Sequence, residues 1–201
     1  MIRILLAEDQ TMVRGALRAL LSMEEDITVV AEVERGDRVV EIALTTQPDV
    51  ALLDIEMPGM DGISAAAALC AALPSCCSVI LTTFGRPGYL RRAMESGAAG
   101  FLLKDAPAEG LSADIRRVIA GQRVVDPGLA AAALSEGKSP LTGREREVLV
   151  ASQSGASISG IAKHLSLTEG TVRNYLSIAI QKLGVRNRTE AARLAEEKGW
   201  L

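Results

Sequence analysis

Short runs of Ile, Leu and Val recur through the first 121 residues, each stopped by polar, Pro or Gly residues. Ile2–Ala7, Thr28–Val33, Val50–Leu53, Ser78–Thr83 and Gly100–Lys104 have the length and boundaries of strands buried in a sheet. Between them, apolar positions return at helical spacing. Val13, Leu17, Leu20 and Leu21 define a first helix with Thr11 as its cap. Further helices are predicted over Asp37–Thr45, the Ala-rich Ile63–Leu73, Pro87–Glu95 and Ala108–Ile119, the last two stopped by Gly97 and Gly121. Five β-α alternations predict an α/β fold with a doubly wound, five-stranded parallel sheet over residues 1–121.

The rhythm breaks at Gln122–Pro140, which reads as a connector with a short Ala-rich helix over Ala130–Leu134, so residues 122–139 are taken as a linker. From residue 140 to 201 every predicted element is helical. Thr142 and Glu145 form a capping box, Gly155 ends that helix, and Ser157–Leu165 is a short second one. Ser166-Leu167 makes a turn, Thr168 caps a longer helix ended by Gly184, and Arg188–Lys198 is a fourth. A short helix, a tight turn and a longer capped helix make a helix-turn-helix. Val172, Leu176 and Ile180 are read as its core, His164 as a surface or capping histidine, and Glu145 and Glu147 as capping and solvated charges.

Composition adds a division of labour. Hydrophobic residues make up 48% but aromatics only 2%, so the core must be aliphatic. The net charge of −3 divides into −6 for residues 1–121 (11 Lys+Arg, 17 Asp+Glu) and +3 for residues 122–201 (11 and 8). This asymmetry suggests an anion-binding C-terminal part. Cys70, Cys76 and Cys77 have no metal or redox spacing and imply a reducing compartment. Met1-Ile2-Arg3 runs straight into a strand, and the most apolar stretch is too short to span a bilayer. A cytoplasmic protein without membrane insertion is expected.

Chemistry gathers at predicted strand ends. Asp54 follows Val50–Leu53 and is followed by Pro58-Gly59; alone it is as easily a turn former as a functional carboxylate. Glu8-Asp9 follow the first strand, and Thr82 and Lys104 close the last two. In an open α/β sheet ligands collect outside these ends. Clustered carboxylates repel one another, and a hard cation such as Mg2+, which takes a few carboxylates plus waters and phosphate oxygens, relieves that. Lys104 offers a counter-charge for a phosphoryl group and Thr82 a hydroxyl. Together they describe a carboxylate that accepts a phosphoryl group with metal assistance.

In this order and spacing, with the loop Met57–Gly62, the set resembles a response-regulator receiver domain, a flavodoxin-like fold. The resemblance implies that Asp54 is the phosphoacceptor and that Glu8, Asp9, Asp54 and the backbone carbonyl of Glu56 hold Mg2+. It makes Thr82, Phe101 and Lys104 the switch and phosphoryl-stabilising residues. Two departures stand out: Glu8 where Asp is commoner, and Asp105-Ala106 where many receivers have proline, so no cis bond is expected.

Leu141–Leu149, Thr168–Arg173 and Lys182–Arg188 resemble the LuxR-type DNA-binding domain, and the whole chain is similar to the NarL/FixJ class of transcriptional regulators. The implied partners are double-stranded DNA, a cognate sensor histidine kinase, a second copy on phosphorylation, and RNA polymerase. On the third helix Arg173 and Ser177, four apart, share one exposed face with Asn174 beside them, where Arg suits guanine and Asn adenine. Lys163, Thr171 and Lys182 are candidate phosphate contacts. Ser177, Tyr175 and Ile158-Ser159-Gly160 depart from common family choices, so operator sequences do not transfer. Leu81–Tyr89, Arg173-Asn174-Tyr175 and Gly199-Trp200 resemble a subgroup paired with membrane-fluidity sensor kinases. The rival readings are an aspartyl-phosphate phosphohydrolase, a phosphate-independent regulator and a protein-docking helix-turn-helix.

Overall fold

The computed structural model describes every residue except 84–86, 105–107, 136–138 and 154, and the side chains of those described except 87, 108, 109 and 132–135. Two compact units result, one of Met1–Gly85 with Tyr89–Ala131, the other mainly of Ala132–Leu201.

In the first unit, strands β1 (Ile2–Ala7), β2 (Ile27–Val33), β3 (Val50–Leu53), β4 (Cys77–Thr82), β5 (Gly100–Leu103) and β6 (Val124–Val125) form one sheet in the order β2-β1-β3-β4-β5-β6. Every pairing is parallel. Helices α1 (Thr11–Leu21), α2 (Val39–Thr46), α3 (Gly62–Ala72), α4 (Pro87–Glu95) and α5 (Ala108–Ile119) connect successive strands. Parallel strands need such crossovers, and helices on both faces seal the central strands. All four residues of β3 are 0% exposed, which explains why Val-Ala-Leu-Leu is apolar without alternation. Ile4, Leu6, Leu52, Val79, Leu81 and Ile115 pack in one aliphatic core, each fully enclosed side chain contributing about 2 kcal/mol. Strand order reverses between β1 and β3, opening a crevice at their carboxyl ends.

The sheet has six strands where five were expected. After Gly121 turns the chain, Val124 and Val125 pair with Gly100 and Phe101, and the Val124 N–H donates to Ala99 O at 3.0 Å. Two residues are too few to carry a strand signal on their own. Thr11 is the first residue of α1, not its cap: Gln10 holds the cap position without a side-chain hydrogen bond. The helix expected from Asp37 opens instead as a 3-10 turn, Gly36–Arg38, before α2.

The short helix expected in the connector is α6 (Pro127–Ser135). The second unit then carries α7 (Gly143–Gln153), α8 (Ile158–His164), α9 (Glu169–Leu183) and α10 (Arg188–Glu197). Val148, Leu149, Ile161, Val172, Leu176 and Ala191 form its core, with Ile180 packed against it. The capping box is reciprocal: the Thr142 N–H donates to Glu145 Oε2 at 2.8 Å and the Glu145 N–H to Thr142 Oγ1 at 3.4 Å. Ser157, Thr168 and Asn187 cap the next three helices through their side-chain oxygens. Between α8 and α9 Ser166 adopts φ +55°, a left-handed conformation that costs a non-glycine residue about 1 kcal/mol and here turns the chain sharply.

Candidate functional site

The crevice at the sheet switch point holds the predicted pocket. The Asp54 N–H donates to Ala7 O at 2.9 Å, which brings the residue after β3 beside the end of β1. Gly62 completes this corner. Its N–H donates to Ile55 O at 3.0 Å, and a Cβ there would overlap the Asp54 carbonyl. Asp61 caps α3 by accepting from the Ser64 N–H at 2.9 Å, so the loop after Asp54 is tied down at its far end as well.

Glu8, Asp9 and Asp54 each present a carboxylate oxygen within 4.8 Å of the others. Glu8 and Asp54 are buried, at 1% and 5% exposure. Lys104 enters from the end of β5, where its N–H donates to Thr82 O at 2.8 Å. Its ammonium lies 2.6 Å from Glu8 Oε2 and 2.9 Å from Asp54 Oδ1. Burial pushes the Glu8 carboxyl above its ordinary pKa, and the neighbouring Asp54 charge adds to this, while Lys104 opposes it. Burial likewise works against the Lys104 charge, but its hydrogen bonds to Glu8 and Asp54 outweigh that and leave its pKa raised. Asp9 Oδ1 is shut off from solvent without a hydrogen-bond partner. Three hard oxygens, one of them unsatisfied, fit a small divalent cation that keeps several waters.

Thr82 is buried at the end of β4, and Phe101 is fully enclosed on β5, paired with Ile80. Glu56 lies two residues beyond Asp54 with an exposed side chain, as expected of a residue invoked only for its carbonyl. Asp105-Ala106, where no cis bond was expected, and Phe84–Arg86 of the subgroup stretch lie outside the described residues.

On the second unit, Arg173, Asn174 and Ser177 are exposed on α9, and Lys163 is exposed on α8. Arg173 is held by Glu169 one turn earlier, at 2.7 Å. Thr171 shares a 2.8 Å hydrogen bond with Thr168 at the helix start. Lys182 is engaged differently from a free phosphate contact: its ammonium bonds both Glu145 oxygens, at 2.9 and 2.8 Å. Glu145 is therefore not a solvated charge. It is 4% exposed, and although burial alone would raise its pKa, Lys182 and the Thr142 N–H together hold it below the ordinary value. The pair joins α7 to the end of α9 across 37 residues, a separation no local pattern reveals. His164 is exposed in the last turn of α8.

Residues 4–116 match the response regulator receiver domain, and residues 139–195 match the bacterial regulatory proteins of the luxR family. The chain is 47% identical to the transcriptional regulatory protein DesR of Bacillus subtilis, covering 100% of this chain and 99% of that one. It is 46% identical to the uncharacterized transcriptional regulatory protein YvfU of the same organism, covering 100% of each. These two identities do not separate one subgroup from the other. Among solved structures, the response regulator ChrA of a heme-sensing two-component system is similar over 100% of this chain and 98% of its own, with 37% identity and a TM-score of 0.60. A luxR-family module in place of a substrate lid removes the phosphohydrolase reading. The chain belongs to the NarL/DesR-type two-component response regulators, transcriptional regulators that join a receiver domain to a LuxR-type DNA-binding domain.

Proposed function

We propose that this regulator is switched by transfer of one phosphoryl group to Asp54. The observation that carries the reading is the Asp54 carboxylate set between Lys104, 2.9 Å away, and two further acidic oxygens. A sensor histidine kinase is the donor. One Asp54 oxygen attacks the phosphorus of its phosphohistidine; the P–N bond breaks, its electron pair returns to the imidazole, and an acyl phosphate forms. A Mg2+ ion bound by Glu8, Asp9, Asp54 and the Glu56 carbonyl would supply charge neutralisation for the phosphoryl oxygens. Lys104 holds the Asp54 oxygen in place beforehand and then pairs with the phosphoryl charge.

Adding that charge redraws the pocket. Thr82 turns its hydroxyl to a phosphoryl oxygen, Lys104 shifts from Glu8 towards the phosphoryl group, and Phe101 repacks with them. The receiver surface so biased favours a homodimer. Two copies of α9 then meet two half-sites of duplex DNA, with Arg173, Asn174 and Ser177 facing bases and Lys163 and Thr171 facing phosphates. Lys182 acts mainly through Glu145, setting the end of α9. RNA polymerase is the further partner of such a regulator at a promoter, and the cytoplasm is where it meets both DNA and the kinase domain. Among the described residues no helix is long and apolar enough to cross a membrane.

The test treats the protein with acetyl phosphate and Mg2+ and follows sedimentation and binding to a promoter fragment. Dimerisation and tighter binding in the wild type, absent in Asp54→Ala, are expected. Equal DNA binding with and without phosphorylation would overturn the switch and favour a constitutive regulator.

A further inference from the structure

Outside the acidic pocket, one buried cation touches the backbone that carries it. Arg14, on α1, is 8% exposed although the helical pattern gives it no apolar role. Its Nη1 donates to the carbonyl oxygen of Glu8 at 2.8 Å. Its Nη2 donates to Glu34 Oε1 at 2.6 Å, and its Nε lies 3.4 Å from Glu32 Oε2. Glu32 lies near the end of β2 and Glu34 in the bend just past it, and both carboxylates reach Arg14 on α1.

Glu8 is thus held from both flanks. Its N–H donates to Val33 O at 2.9 Å, and its carbonyl accepts from Arg14. The second of these bonds orients the peptide joining Glu8 to Asp9, and that peptide sets the direction from which the Asp9 carboxylate leaves the backbone. Asp9 Oδ1 has no hydrogen-bond partner of its own to hold it. A guanidinium suits the task because its planar fork reaches a carbonyl and two carboxylates at once, which an ammonium on a flexible stem does not.

We propose that Arg14 is a positioning residue for the cation site: it fixes the Glu8–Asp9 peptide, with Glu32 and Glu34 anchoring its outer edge, so that Asp9 is pre-aimed at the ion. This rests on the reading of Glu8, Asp9 and Asp54 as a divalent-cation site. Partners that orient metal ligands from behind typically change affinity by about 10–100-fold when removed. Arg14 acts through one route, its hydrogen bond to the Glu8 carbonyl, which reaches both Glu8 and Asp9.

The experiment is calorimetric titration of the unphosphorylated full-length protein with MgCl2, comparing wild type, Asp9→Asn, Arg14→Met, Arg14→Lys and Glu34→Gln. Thermal unfolding is recorded without Mg2+, and acetyl phosphate labelling is measured across Mg2+ concentrations. Arg14→Met should bind Mg2+ about tenfold more weakly, Arg14→Lys should recover little of this, and Glu34→Gln should weaken binding about twofold. Labelling of Arg14→Met should return to the wild-type maximum at saturating Mg2+, a shift in half-saturation that a purely structural role would not produce. Arg14→Met that folds and binds Mg2+ like the wild type overturns the proposal. Should Arg14→Met fail to fold, unchanged Mg2+ binding in Glu34→Gln overturns it instead. A wild type that binds Mg2+ no better than Asp9→Asn overturns the cation site itself, and the proposal with it.

Discussion

Lys104 lies closer to Glu8 than to Asp54, 2.6 Å against 2.9 Å. The longer arm of Glu8 brings its carboxylate onto the ammonium, so Lys104 neutralises two buried acids. Lys104 and a divalent ion therefore compete for the same oxygens. Replacing Lys104 with Met should tighten Mg2+ binding while lowering stability without Mg2+ by about 3–5 kcal/mol, the cost of leaving buried charges unpaired. Calorimetric titration and denaturant unfolding with and without MgCl2 check both signs. Weaker Mg2+ binding in the variant would contradict the competition.

Gly62 allows α3 to start directly behind Asp54, where a Cβ would overlap backbone atoms of Asp54 and Ile55. Backbone cannot swing aside as a flexible side chain can. Gly62→Ala should cost about 3 kcal/mol or more and slow the proposed acyl-phosphate formation, because relief requires moving the loop after Asp54. Gly143→Ala, where a Cβ meets nothing within 4 Å, is the control and should change stability by less than about 0.5 kcal/mol.

The Glu145–Lys182 pair gives the second unit a pH signature. Glu145 has its pKa held below the ordinary 4.5, so the pair stabilises the fold above that value and loses this as pH falls through the folded pKa. Lys182→Met should cost about 1–3 kcal/mol near neutrality, discounted because Lys182 is partly exposed, and the difference from wild type should shrink on acidification. Unfolding midpoints across pH test this; a difference that grew towards acid would have the wrong sign.

Much of the acidic pocket was legible because Glu8, Asp9, Asp54 and Lys104 each end a strand, and strand ends are marked locally by an apolar run giving way to a charge. Asp54 alone was as easily a turn former as a functional carboxylate; Glu8, Asp9 and Lys104 at equivalent ends made it a candidate site. The capping residues Thr142 and Thr168 were legible for the same reason, since a cap is read over three or four positions, whereas Ser157 was read as helical and proves to be the cap of α8. What escaped depended on long-range geometry. The Glu145 partner of Lys182 lies 37 residues away on α7, and Arg14 drew no reading from the sequence. A signal for Arg14 did exist in Glu32 and Glu34, two acids about a strand end with an unassigned arginine nearby. β6 was too short for any pattern.

Arg173 is exposed on α9 and, among the described residues, paired with Glu169 across one helical turn, a contact worth about 0.3–0.5 kcal/mol. Arg173→Ala should leave stability nearly unchanged yet weaken specific DNA binding by about 1–3 kcal/mol and relax preference at one base position. Lys163→Ala should instead weaken binding to all duplexes alike and flatten its salt dependence. Fluorescence anisotropy with operator and scrambled duplexes across salt concentrations separates the two.

Asp54 is the proposed acceptor of the phosphoryl group. Intact-mass measurement of the full chain treated with acetyl phosphate and MgCl2, followed by mapping of the modified residue, tests it most directly. One phosphoryl group per chain on Asp54, lost on chelation of Mg2+ before labelling and absent from Asp54→Asn, is predicted. Equal labelling of Asp54→Asn, or a modified residue elsewhere, would contradict it.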